Sequence, residues 1–327
     1  MTILVTGAAG FIGSSLSRKL LEQGETVIGV DNLNDYYDVQ LKKDRLKTLQ
    51  DMGGFQFEKI ELSDQRQTQK LFQGPAKKAK KIVHLAAQAG VRYSLTNPHA
   101  YLSSNINGHL NVIEGARHSD SLTSLVYASS SSVYGGNKKH PFAASDPVNS
   151  PLSLYAATKR SDELMSYCYS HLFKIPMVGL RFFTVYGPWG RPDMAAYLFC
   201  EAMRQNKPIS IFNNGEMKRD FTYIDDIVNG IMKAMNYTPE ADENGARAKV
   251  FNLGNNKTEK LMDFISVIEQ EMGITAQKDF KPMQQGDVAE TYANIDESRD
   301  LLGYDPKTTI YEGIPRFISW YKDYYNL

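Results

Sequence analysis

Short apolar runs alternate with longer stretches of helical period through the first half of the chain. Ile3-Leu4-Val5, Thr26 to Val30, Phe55 to Ile60, Ile82-Val83-His84-Leu85, Ser124 to Ala128 and Met177 to Leu180 read as short strands. Between them, Leu16, Leu20 and Leu21 make one helical stripe, and further helices are expected near Gln65 to Phe72, Ala100 to Arg117 and Ser153 to Tyr167. Strand and helix in alternation imply an α/β fold, with a doubly wound parallel sheet covered on both faces.

The pattern changes after Leu180, where Arg181 to Met194 holds two prolines and two glycines in close succession around Tyr186-Gly187-Pro188-Trp189-Gly190-Arg191-Pro192-Asp193. Such residues break regular elements and suggest a change of domain. Pro208 to Phe212 and Lys218 to Tyr223 read as short strands around a turn, a helix starts near Asp225, and Val250 to Gly254 is a strand returning to the main sheet. Helices near Glu259 to Met272 and Ile310 to Tyr325 close the chain. The expected division is residues 1–182, rejoined by 225–256, and a smaller C-terminal substrate-binding domain from 183–224 and 257–327.

Composition narrows the function classes. The 327 residues carry 37 basic and 37 acidic side chains, a formal net charge of zero. This argues against nucleic acid or an anionic membrane as the main partner. No run approaches the roughly 20 apolar residues of a membrane span, and the first residues enter a strand without a basic leader. Two cysteines, Cys168 and Cys200, in expected helices suggest a reducing compartment, and six histidines without close pairing suggest no metal site. A soluble cytoplasmic protein is expected. The run Lys77-Lys78-Ala79-Lys80-Lys81 reads as a solvated helix end.

Candidate chemistry lies just after the strands, where open α/β sheets bind ligands. Gly7, Gly10 and Gly13 stand between the first strand and its helix. Glycines there permit a tight turn and close approach of backbone to a pyrophosphate, which the helix N-terminus attracts. The second strand ends in Asp31, an acid suited to the ribose hydroxyls of NAD and unsuited to the extra phosphate of NADP. Ala86-Ala87-Gln88-Ala89-Gly90-Val91-Arg92 would let backbone lie against a cofactor, and Ser129-Ser130-Ser131-Ser132 puts four hydroxyls at a strand end. Tyr155 and Lys159 are four apart in a helical stretch, so they share a face. A tyrosine is a poor base at its ordinary pKa of about 10, and a cation held beside it favours the phenolate.

Together these residues resemble the extended short-chain dehydrogenase/reductase family, its nucleotide-sugar epimerases, over essentially the whole chain. The segments Ala87 to Ser94, Ser129 to Gly135 and Tyr186 to Met194 look most like the UDP-glucuronate 4-epimerases. The resemblance implies a Rossmann-type fold, retained NAD, a UDP-sugar substrate, a homodimer through the helices near 100–117 and 153–173, and epimerisation at C4 through a 4-keto sugar. It makes Tyr155, Lys159 and Ser130 catalytic. It places cofactor contacts at Gly7, Gly10, Phe11, Ile12, Gly13, Asp31, Asn32, Asp64, Leu85, Ala86, Ala87, Asn105, Tyr155 and Lys159. Substrate contacts fall to Arg92, Ser131, Ser132, Thr184, Arg191, Arg219 on the diphosphate, and Asp287 on the uridine ribose. Arg92 and Arg191 are open between carboxylate and phosphate. Thr184, where UDP-galactose 4-epimerases carry asparagine, speaks against a neutral hexose. Other readings on the same fold are a different UDP-sugar 4-epimerase, or a dehydratase or decarboxylase, whose strand-end motif would carry an acid among these serines.

Overall fold

The computed structural model describes residues 1–284 and 287–327. Strands β1 (Thr2–Thr6), β2 (Thr26–Asp31), β3 (Phe55–Lys59), β4 (Lys81–His84), β5 (Ser124–Ser130) and β6 (Met177–Phe182) come first. Short strands β7 (Thr184–Tyr186), β8 (Ile209–Ile211), β9 (Lys218–Arg219) and β10 (Phe221–Tyr223) follow, then β11 (Ala248–Leu253), β12 (Glu259–Lys260) and β13 (Lys278–Phe280). One seven-stranded sheet runs β11-β6-β5-β4-β1-β2-β3, with every pairing parallel. The order reverses between β1 and β4, which opens a crevice beyond their carboxyl ends.

Alternation along each strand builds the two faces. Ile3 and Val5 join one buried layer with Leu16, Val83, Val126 and Val178. Leu4 joins the other with Ile28, Ile82, Leu125 and Met177. Helices cover both layers, so the central strands are buried on both faces, while the edge strand β3 keeps the polar Gln56, Glu58 and Lys59.

Several elements depart from the expected pattern. The stretch Lys218 to Tyr223 is two strands, broken at Asp220, whose carboxylate takes the N–H groups of Asn255 (2.6 Å) and Ala293 (3.1 Å). These strands do not pair with Ile209–Ile211 across a turn. β8 pairs with β13, β9 with β12 and β10 with β7, because Asn213 and Asn214 take positive φ and turn the chain aside. The helix expected over 100–117 is interrupted by a π-helical turn, Leu102–Asn107, before Gly108–Arg117. The basic run is a single 3-10 turn, Pro75–Lys78, and Lys81 already begins β4. Cys200 lies in the helix Ala195–Arg204, as its expected helical setting implied, whereas helices Val39–Gln50 and Asp296–Leu302 were not anticipated. No helix of the described residues is long and apolar enough to cross a membrane.

Candidate active site

The carboxyl ends of the sheet open onto a cleft of ≈ 430 Å³. Its floor is the turn from β1 into the helix Phe11–Glu22. Gly7 has φ +72°, and a Cβ there would stand 2.8 Å from the Ala86 nitrogen. A Cβ on Gly13 would stand 2.1 Å from the Gly7 carbonyl oxygen, so neither position admits a side chain. Gly10 caps the helix without a side-chain bond, which leaves first-turn N–H groups for an anion. At the end of β2 the Asp31 carboxylate accepts from the N–H of Ala9 (3.2 Å) and of Leu33 (2.8 Å). Burial raises its carboxyl above the ordinary value. A backbone cradle that no Cβ obstructs, an uncapped helix terminus and an acid beside them fit a dinucleotide. Phe11, Ile12, Asn32, Leu85, Ala86 and Ala87 line the same cleft.

The next wall is the end of β5 and the helix Leu154–Phe173. Ser153 caps that helix, accepting from the Ala156 N–H at 3.1 Å, and so fixes the first turn from which Tyr155 projects. Tyr155, Lys159 and Ser130 to Ser132 all line the cleft. The Lys159 ammonium, 3% exposed, donates to the Ala128 carbonyl and to Asp162 Oδ2, both at 3.0 Å. Burial pushes the Asp162 carboxyl up to about 6, against the pull of Lys159. Glu163, the next residue, braces the wall: it accepts from Arg181 (2.8 and 3.0 Å), Arg160 (2.8 Å) and the Ser129 hydroxyl (2.6 Å). A buried carboxylate holding two guanidinium groups locks β5, β6 and the helix in register.

Thr184, Arg191, Arg219 and Asp287 line the far side. Arg219 Nη2 donates to Asp287 Oδ1 (2.8 Å) and the Val288 carbonyl (2.6 Å). Arg191 is paired with Asp193 at 3.0 and 2.5 Å, and Asp193 also accepts from the Tyr36 hydroxyl at 3.0 Å. Its charge is therefore already matched.

Three expected contacts lie off the cleft. Asp64 is a helix cap, accepting from the N–H groups of Arg66 (2.9 Å) and Gln67 (3.0 Å); Glu61 and Leu62 line the cleft in its place. Asn105 is 1% exposed and its amide is consumed by the Gln88 backbone and Thr158. It fixes the wall from behind. Arg92 is exposed and its guanidinium stacks 4.8 Å from the centre of the Phe212 ring. The cleft also takes Asn34, Tyr36, Lys42 and Phe183, which sequence reasoning missed. Lys42, on an unanticipated helix, had no periodic signal strong enough to show it.

Comparison with known proteins agrees with this geometry. The model of the NAD dependent epimerase/dehydratase family matches residues 3–254. The chain is 48% identical to Protein CapI of Staphylococcus aureus, across 99% of both proteins. It is 42% identical to a probable UDP-glucuronate 4-epimerase of Rhizobium meliloti, covering 99% of this chain and 98% of the relative. The UDP-glucuronic acid 4-epimerase of Bacillus cereus, solved with UDP-glucuronic acid and NAD, superposes with a TM-score of 0.89 at 35% identity, over 99% of this chain and 100% of that one. With its glycine turn, strand-end serines and Tyr155–Lys159 helix in one cleft, this chain belongs to the NAD dependent epimerase/dehydratase family.

Proposed function

We propose that this protein interconverts UDP-glucuronate and UDP-galacturonate by NAD-dependent epimerisation at C4. The carrying observation is that one cleft joins the dinucleotide cradle, the Ser130–Tyr155–Lys159 set and a hydroxyl-rich wall of Ser131, Ser132 and Thr184, with Arg219 and Asp287 at its far side. Bound NAD supplies the acceptor and donor for the C4 hydride. Tyr155, as phenolate, takes the proton of the C4 hydroxyl and returns it after the keto sugar has turned over. Ser130 shares a hydrogen bond with that hydroxyl, and Lys159 supports the phenolate. Arg219 meets the diphosphate and Asp287 the uridine ribose, each leaving the other when the nucleotide enters.

The sugar carboxylate is held by hydroxyls and backbone amides. Arg191 is already neutralised by Asp193, and Arg92 stacks on Phe212 outside the cleft. Oxidation at C4 of a glucuronate makes a β-keto acid, which loses carbon dioxide when the C–C bond stands perpendicular to the ketone. Charge-assisted bonds from Ser131, Ser132 and Thr184 keep that bond near the plane.

Residues 1–182 and 225–256 carry the cofactor in this reading, and 183–224 with 257–327 carry the nucleotide sugar; β11 pairing with β6 supports the return. The proposed homodimer is supported by apolar side chains left exposed on two helices, Leu110, Leu164, Tyr167 and Leu172 among them. Two free cysteines suit a cytoplasmic site. The test is incubation of purified protein with UDP-glucuronate and NMR identification of the sugar. Recovery of unchanged substrate from NAD-loaded protein overturns the reading.

A further inference from the structure

Arg45 sits on the helix Val39–Gln50 and is 1% exposed. Burying a guanidinium is costly unless its donors are satisfied. The bonds of its two Nη groups go to three carbonyls and a phenol, none of them a carboxylate, and its buried Nε has no partner among the described residues. Nη1 donates to the Ala9 carbonyl (3.0 Å) and the Tyr37 hydroxyl (2.8 Å). Nη2 donates to the carbonyls of Trp189 (2.7 Å) and Gly190 (3.1 Å).

Those acceptors belong to the two sides of the cleft. Ala9 lies inside the glycine turn, and its N–H is given to Asp31 at 3.2 Å. Trp189 and Gly190 belong to the segment 187–194, which brings Arg191 and Met194 to the cleft. Trp189 is held at φ +63°, a conformation a bulky residue keeps only when its surroundings impose it. Its ring packs on Trp320 (5.3 Å between centroids) and Tyr324 (5.4 Å), and the Tyr324 hydroxyl donates to Asp44, the neighbour of Arg45, at 2.5 Å. An outer tie runs from the Tyr36 hydroxyl to Asp193.

We propose that Arg45 is a positioning residue that straps segment 187–194 to the cofactor turn and so retains NAD between turnovers. The inference rests on the NAD-dependent reading above. An epimerase returns its hydride to the same sugar, so cofactor exchange serves nothing and each release stops the enzyme. One planar guanidinium spans the turn and the strap at once, whereas a lysine ammonium reaches one pair of acceptors.

The test uses the full chain as purified, its Arg45→Lys and Arg45→Met variants, and Tyr36→Phe. Bound NAD is quantified after denaturation, its release is timed after dilution, and kcat and KM are measured with and without added NAD. Loss of two buried hydrogen bonds speeds release by roughly ten-fold or more in Arg45→Lys, with kcat restored by saturating NAD and KM for UDP-glucuronate still raised. A merely structural role would lower thermal stability without that restoration. Release within two-fold of the parent in a folded Arg45 variant overturns the strap. If neither Arg45 variant folds, Tyr36→Phe decides, and unchanged release in it overturns the proposal. The parent's own activity on UDP-glucuronate judges the functional reading separately from these release rates.

Discussion

Lys159 Nζ stands 3.0 Å from Asp162 Oδ2, on the same helix and buried with it. The cation offered to the cleft is thus tied from behind by a carboxylate whose second oxygen has no partner among the described residues. Asp162 offsets part of the field that Lys159 exerts on the phenol. Asp162→Asn keeps an acceptor and removes the charge. The acid limb of the kcat profile should then move to lower pH. A pH–rate profile superposable on the parent's would mean that Asp162 does not modulate the cation.

Tyr155→Phe should bind NAD as the parent does and lose turnover by roughly the 10²–10⁴ of a missing general base. Near-normal rates in the variant would put the proton on another group.

Asp31 should set the preference for NAD over NADP. In Asp31→Ala the carboxylate that repels a 2′-phosphate is gone, so the two affinities should converge. Equal binding of both cofactors by the unmutated protein would contradict the assignment.

Thr184→Val and Ser132→Ala should epimerise more slowly and release a larger share of UDP-pentose from UDP-glucuronate, with NAD content unchanged. Mass spectrometry of the products reads the ratio. A parent that turns over UDP-glucose as readily, with variants alike on both sugars, has no carboxylate pocket.

His84 is buried against Thr6 Oγ1 at 2.7 Å, and burial, with Lys159 nearby, lowers its pKa from 6.5 to about 3. The unfolded chain takes up that proton below pH 6.5 and the native state does not. Stability from this group therefore falls as pH drops from 6.5 toward 3, by about 1.4 kcal/mol per unit. Asp162, raised to about 6, acts in the opposite sense below that pH, so the comparison must be variant against parent. His84→Asn should flatten the fall by one proton in urea unfolding at pH 7, 6 and 5. Parallel curves would show that His84 is charged in the native state.

The chain by itself determined what short-range rules can carry. Short apolar strands alternating with helices announced a covered parallel sheet, glycines between β1 and its helix announced the turn, and four-residue spacing put Tyr155 and Lys159 on one face. The capping role of Asp64 was legible by the same rules, since Asp64 and Gln67 have N-cap spacing. Tertiary structure decided the rest. Asn105 turns its amide on Gln88 and Thr158, Arg191 is neutralised by Asp193, which also accepts from Tyr36, and Arg45 joins Ala9 to a strap 144 residues away. Each choice depends on which carbonyl or carboxylate arrives beside a buried polar group once the sheet has closed. Desolvation then forces that group to bond whatever it meets, and no period along the chain records the meeting.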